Sequence, residues 1–338
     1  MISLGKKHVK VMVWGESTEI AMWLGWIEKR TEIAGYVSSD KSKVGGKFRQ
    51  KLIVDLKELC NCDFDYLVVP TAQVGSITKS LSKEGFDNED KIKTINELTS
   101  SVLNIKDANE LYHRETVENQ KTILKRVLKS TDREVLSRDW LLDIVKEYGI
   151  YCYSNNYLDW NENINWNMYG LLQMPEEFAG FLATLGSLKI DTAIEIGVAG
   201  GRSSYIMSAM IYRRNKNVSY TMVDIFDNLD CFDEYNQILP CLHKAIPTTS
   251  DDYRGKEFDF VFIDADHSYD AALKDYENVG RFSKKIVAFH DIYANEYNWE
   301  NGGTVRLWED IQYRTQDKEH RIFSKFPRRW MGIGAVII

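Results

Sequence analysis

The sequence predicts an α/β protein: a small strand–helix module, a helical stretch, and a larger domain built on a mostly parallel sheet. Three observations carry this. Apolar strands alternate with amphipathic helices from Val9 onward. The strand Ala193–Ile196 runs into a glycine-rich turn that opens a helix. Two later apolar strands, beginning at Phe258 and Lys285, are separated by one helix and each close in acids. Strands alternating with helices run parallel, because each crossover returns the chain to the same edge of the sheet.

Taken in order, Val9–Gly15 is a strand entering a turn, and Glu19–Lys29 is an amphipathic helix. Glu32–Val37 is a second strand and Phe64–Val69 a third, closed by Pro70. Residues 1–96 therefore form a small Rossmann-like module. Its pattern, V-x-V-W-G followed by G-Y-V-S-S-D-K-S-K-V-G-G-K-F and D-F-D-Y-L-V-V-P, resembles the nucleotide-binding-like modules appended to some bacterial glycan-modifying enzymes. The first turn, Gly15-Glu16-Ser17-Thr18-Glu19, lacks the further glycines of a dinucleotide site, and Glu16 stands where a pyrophosphate needs positive potential. A structural or docking role is the expectation for it.

Residues 97–150 carry apolar side chains at helical spacing, as in Ile123, Leu124, Val127, Leu128 and Leu141, Leu142, Val145. They read as two or three bridging helices whose apolar faces offer a surface for pairing between chains. The third region, 151–338, opens with an Asn-, Tyr- and Trp-rich stretch, Tyr151–Met168. Pro175 then starts a helix running to about Leu185. The strand Ala193–Ile196 follows, then the turn Gly197-Val198-Ala199-Gly200-Gly201 and a helix from Ser203 to Tyr212. Val218–Val223 is the next strand, ending in Asp224. Ala245–Asp252 covers the expected third strand and its loop, with Ser250 and Asp251 at its end.

The chemistry gathers at strand ends. A strand, a glycine turn and a helix N-terminus form an edge that cradles nucleotides, because glycine lets a ligand approach the backbone closely. The spacing G-x-x-G-G is neither G-x-G-x-x-G nor a P-loop, and no Lys-Ser or Lys-Thr follows, which argues against phosphate transfer from ATP. Asp224 is placed to accept hydrogen bonds from a ribose diol. Phe258–Ile263 delivers Asp264, Asp266 and His267, and the strand after the helix Ala271–Phe282 delivers His290 and Asp291. Parallel neighbours lie ~4.8 Å apart. Asp264 and Asp291 are then close enough to share one divalent cation, with capping of the following helices as the other reading of both acids. Asp266 points to the opposite face and either orients His267 or binds substrate.

Glu195 before Gly197, in E-x-G-x-x-x-G, resembles motif I of the class I S-adenosylmethionine-dependent methyltransferases. I-D-A-D-H-S-Y, then F-H-D-I, then Gly303–Asp310, resemble the metal-dependent O-methyltransferases of sugars and natural products, the cephalosporin-hydroxylase-like and mycinose-type enzymes. The likeness covers roughly Gly170 to Ile338. It implies a seven-stranded sheet with an antiparallel last strand, matched by a strand pair at Glu319–Phe326 and Trp330–Ile338 joined through Pro327-Arg328-Arg329. It implies S-adenosylmethionine at Glu195, Gly197, Gly200, Gly201, Ser203, Asp224, Ser250 and Asp251, and Mg²⁺ or a similar cation at Asp264, His290 and Asp291. Many relatives carry another residue type at the middle position, so His290 either ligates or orients the site. In the catechol-type branch a lysine three residues beyond the first metal aspartate is the base, and His267 stands at that spacing. A buried structural histidine is the rival reading for His267.

Such an enzyme has to present a nucleophilic oxygen in line with an already activated methyl group. A cation acidifies the acceptor hydroxyl, and a base such as histidine removes the proton. A sugar or sugar-linked small molecule is the expected acceptor, since Tyr151–Met168 and Tyr293–Gly303 are aromatic and polar. The rival functions are an NAD(P)-dependent oxidoreductase on the N-terminal module, and a degenerate cofactor-binding scaffold.

Composition narrows the partners. A net charge of −7 opposes broad binding to nucleic acid or anionic membrane. No apolar stretch nears the ~20 residues that span a bilayer. The first ten residues lack a signal peptide's apolar core, and five cysteines (Cys60, Cys62, Cys152, Cys231, Cys241) with only one close pair suit reduced thiols. A cytoplasmic enzyme is the expectation.

Overall fold

The computed structural model describes residues 9–15, 17–86, 88–152, 164–299, 301–325 and 331–338. Glu16, much of the Tyr151–Met168 stretch and the turn Pro327-Arg328-Arg329 lie outside the described residues. The chain divides into two compact units, Met1–Thr116 with Gly149–Gly170, and Val117–Tyr148 with Leu171–Ile338. The helical stretch 97–150 is thus shared between them, the division falling within the helix Ala108–Lys129.

The first unit holds a six-stranded sheet of β1 (Lys10–Trp14), β2 (Glu32–Val37), β3 (Lys47–Phe48), β4 (Lys51–Val54), β5 (Tyr66–Val68) and β6 (Ile92–Lys93). Its order is β3-β4-β2-β1-β5-β6, parallel except for the β3–β4 hairpin. One face packs on Ile20, Trp23, Leu24 and Ile27 of the helix Thr18–Glu28, the other on Leu59, Ile77 and Leu81. In that helix Glu19 accepts from the backbone N–H of Thr71 at 3.0 Å and from its hydroxyl at 2.7 Å. The chain's own carboxylate thus sits in the helix's first turn, where a dinucleotide would bring its phosphates.

The second unit holds a seven-stranded sheet of β7 (Thr192–Ile196), β8 (Ser219–Val223), β9 (Leu242–Ala245), β10 (Phe258–Ile263), β11 (Ser283–His290), β12 (Glu319–Phe323) and β13 (Ile333–Ile337). The order is β12-β13-β11-β10-β7-β8-β9, with β13 antiparallel to both neighbours. This is the expected mostly parallel sheet with an antiparallel last strand. The third strand differs from the sequence reading. It lies at Leu242–Ala245 and ends where the Ala245–Asp252 stretch begins, leaving that stretch as loop and a short turn of helix.

β10 shows why the sheet is covered on both sides. All six of its residues are buried, as a central parallel strand requires. Val261 and Ile263 face Tyr269, Ala272, Tyr276, Trp308 and Ile311. Phe260 and Phe262, on the other face by the period of two, meet Phe181 of the helix Pro175–Ser187 with ring centroids 5.9 and 5.5 Å apart. No helix among the described residues is long and apolar enough to cross a membrane.

Candidate active site

β7 ends in the glycine turn, and its geometry separates the three glycines. Gly197 has φ of +85°, and a Cβ there would stand 2.2 Å from the Asp264 carbonyl oxygen and 2.5 Å from the Ala265 Cα. The turn is therefore pressed backbone to backbone against the end of β10. Gly201, with φ of +81°, precedes the helix Arg202–Arg214, and a Cβ would strike the Tyr205 ring at 2.8 Å. Gly200 has no such constraint, and nothing lies within 4 Å of the space its side chain would fill.

Glu195 points into the interior. It is completely buried and accepts hydrogen bonds from the Ser203 hydroxyl and the Tyr220 hydroxyl, each at 2.7 Å. Burial pushes its carboxyl up to about 7, against the hydrogen bonds from Ser203 and Tyr220. Glu195 and Ser203 thus tie the strand to the helix beneath the turn. Asp224 ends β8, and its Oδ2 accepts the backbone N–H of Val198 and of Ala199 at 3.0 Å each, while Oδ1 accepts that of Phe226 at 3.1 Å. Its carboxylate shapes the glycine turn, with Ala199 held at φ of +43°. Further along, the Asn278 amide donates to Ser250 Oγ at 2.9 Å and to Asp251 Oδ1 at 3.1 Å. Asp251 also pairs with Lys274 at 2.6 Å.

The register Ile263↔Phe289 makes the next residues, Asp264 and His290, emerge side by side. Ligand atoms of Asp264, His290 and Asp291 lie within 4.8 Å of one another. His290 Nδ1 is 3.2 Å from Asp264 Oδ1 and 3.3 Å from Asp291 Oδ2. His267 Nε2 is 2.7 Å from Asp291 Oδ2 and 3.8 Å from Asp264 Oδ1. Burial opposes charge on every member, yet opposite charges win: both aspartates are held below the usual carboxylate range. Burial likewise works against the charge on His267, and Asp264 and Asp291 overcome it to raise that imidazole to about 10. Asp266 lies apart from the cluster, its Oδ1 accepting the Ser268 N–H at 2.8 Å.

Two family models match the chain in sequence. Residues 7–93 match a C2185-like N-terminal domain, and residues 194–292 match one described as a methyltransferase domain. That span runs from the glycine turn to the acid cluster. The chain carries a methyltransferase domain. No curated protein matches it in sequence. Among solved structures, an O-methyltransferase from Bacillus cereus in complex with S-adenosylhomocysteine is 14% identical. It covers 46% of this chain and 77% of its own, at a TM-score of 0.36. The O-methyltransferase TomG of Streptomyces achromogenes is 13% identical over 46% and 78%, also at 0.36. The methyltransferase PaMTH1 of Podospora anserina is 14% identical over 49% and 79%, again at 0.36. At these values none of them bears on what this methyltransferase domain acts upon.

The methyltransferase domain also recruits residues that sequence reasoning passed over. Gln173 donates its amide to Asp264 Oδ2 at 3.0 Å. Thr304 donates its hydroxyl to the Asp291 carbonyl at 2.8 Å, holding a residue whose φ is +59°. Tyr220 and Glu177 are fully buried beside the site. Only Glu177 carried a local signal, as the acid three residues beyond the start of a helix with Pro175 at its first position.

Proposed function

We propose that the chain is an O-methyltransferase. It moves the methyl group of S-adenosylmethionine to a hydroxyl of a sugar, a glycan precursor or a related small molecule, with help from a divalent cation. One observation carries this reading: two aspartates and two histidines meet at the ends of β10 and β11, where the glycine turn abuts Asp264.

The donor set fits a cation. Two carboxylate oxygens and an imidazole nitrogen, from buried Asp291 and His290 and partly buried Asp264, suit Mg²⁺ or a similar hard ion. Asp264, Asp291 and His290 would hold it, and a cation there supplies the positive field that acidifies an acceptor hydroxyl. The glycine turn with Gly197, Gly200 and Gly201 and the Asp224 carboxylate would hold the cofactor, braced from below by Glu195 and Ser203. Ser250 and Asp251 would line its adenine side.

His267 is the proposed base. The acceptor oxygen attacks the sulfonium methyl, the carbon–sulfur bond breaks to leave S-adenosylhomocysteine, and the hydroxyl proton passes to His267 Nε2. In this structure that nitrogen is committed to Asp291. Once the charge of the two aspartates is neutralised, the imidazole falls back toward its ordinary range near 6.5, where it accepts a proton at neutral pH.

The test is calorimetric titration with S-adenosylhomocysteine and, separately, NADH, followed by a methyl-transfer screen over sugar hydroxyls with and without chelator. Cofactor binding with activity lost on chelation and restored by Mg²⁺ supports the reading. Transfer that ignores chelation removes the cation. Binding of NADH in place of S-adenosylhomocysteine overturns the whole reading and moves attention to the N-terminal domain.

A further inference from the structure

Glu177 stands in the first turn of the helix Pro175–Ser187 and is 0% exposed. Its Oε1 accepts the Met174 N–H at 3.0 Å and its Oε2 the Gly332 N–H at 2.8 Å. Oε1 also lies 3.8 Å from His290 Nε2. That nitrogen is buried and has no hydrogen-bond partner among the described residues. The opposite ring nitrogen, Nδ1, faces Asp264 and Asp291. The imidazole is therefore strung between one carboxylate on its outer side and two on its inner side.

A histidine that ligates a metal ordinarily donates its other N–H to a carboxylate or carbonyl, which fixes both the ring and the tautomer. At 3.8 Å the Glu177 contact is long for a hydrogen bond, and contacts of this kind tighten when a site is loaded. The same helix entry also supplies Gln173, whose amide already holds Asp264 Oδ2 at 3.0 Å. One short segment thus holds one ligand side chain and places a carboxylate 3.8 Å from a second.

We infer that Glu177 is the positioning residue for His290: it takes the Nε2–H and so turns the Nδ1 lone pair toward the space between Asp264 and Asp291. This rests on the cation site proposed above. The alternative is that Glu177 only ties the Met174 and Gly332 backbones together.

Mn²⁺ binding to the full chain separates the two, read by electron paramagnetic resonance and calorimetry on the wild type, Glu177→Gln, His290→Ala and the double variant. Glu177→Gln is expected to weaken Mn²⁺ binding 10- to 100-fold. The double variant should bind no more weakly than His290→Ala, since Glu177 acts only through that ring. Wild-type affinity in Glu177→Gln, or additive losses in the double variant, overturns the inference alone. A wild type that takes up no Mn²⁺ overturns the cation site and this inference with it. If Glu177→Gln does not fold, ¹⁵N resonances of the histidine rings in the Mg²⁺-loaded wild type decide. A proton on His290 Nε2 supports the assignment, and a proton on Nδ1 overturns it.

Discussion

His267 Nε2 lies 2.7 Å from Asp291 Oδ2, so the proposed base and a proposed metal ligand are joined as an ion pair. The imidazole cannot serve as a base while it holds that proton. A cation and the imidazolium are rivals for the same carboxylate.

This rivalry predicts a pH dependence in chelator-treated protein. His267 is raised from an ordinary 6.5 to about 10 in the folded state. The stability it contributes is fully present below pH 6.5 and is lost as pH rises through about 10. Melting temperatures of the wild type should therefore fall more steeply across that window than those of His267→Gln. Parallel curves would show that the pair does not form in solution. In activity, His267→Gln should lower kcat by about 10²- to 10⁴-fold and leave the affinity for S-adenosylhomocysteine unchanged.

The glycines of the turn should behave unequally. Gly197→Ala places a left-handed residue against the Asp264 carbonyl, a conformation costing roughly 1–2 kcal/mol before any clash is counted. It should lower the urea midpoint strongly. Gly200→Ala meets nothing in the protein and should shift stability by no more than about 0.5 kcal/mol. Its cost should appear in calorimetry with S-adenosylhomocysteine, because the open space beside Gly200 is where the cofactor is proposed to lie. A Gly200→Ala variant with unchanged affinity would take Gly200 out of the cofactor site.

Asp224 offers a sharper test of the same loop. Its Oδ2 accepts two adjacent backbone N–H groups and its Oδ1 a third, from Phe226, whereas an asparagine presents one oxygen and turns an NH₂ donor toward the N–H on the other side. Asp224→Asn should weaken S-adenosylhomocysteine binding by tenfold or more and raise hydrogen exchange at Val198 and Ala199. Loss of affinity with exchange unchanged would point to direct ribose contact instead of loop anchoring.

Glu195 should titrate near neutrality. Its folded value of about 7 exceeds the ordinary 4.5, so the stability it confers is fully present below pH 4.5 and lost as pH rises to about 7. The stability of the wild type relative to Glu195→Gln should decline over that range and then level off. Urea unfolding at half-unit pH steps measures it, and a flat difference would mean that the carboxyl is solvated.

Much of this molecule is written in local pattern. The six-residue apolar run of β10, the glycine turn after β7 and the acids closing β8, β10 and β11 are each visible within a dozen residues, because strand burial and turn chemistry are short-range. The β3–β4 hairpin escaped notice because its turn residues are Arg49 and Gln50, at φ of 44° and 67°, and not the glycine or asparagine that usually marks such a turn.

What the tertiary structure alone decided is who faces whom at the site. Gln173 reaches Asp264 across 91 residues of chain, and Glu177 reaches Gly332 across 155. No periodicity spans such distances. The sequence by itself determined that acids and histidines would stand at the ends of two parallel strands. The sheet register then set Asp264 beside His290, and the packing of a helix from elsewhere in the chain put Glu177 behind that ring. Side-chain partnership depends on how separate elements stack, and stacking is settled by the whole core at once.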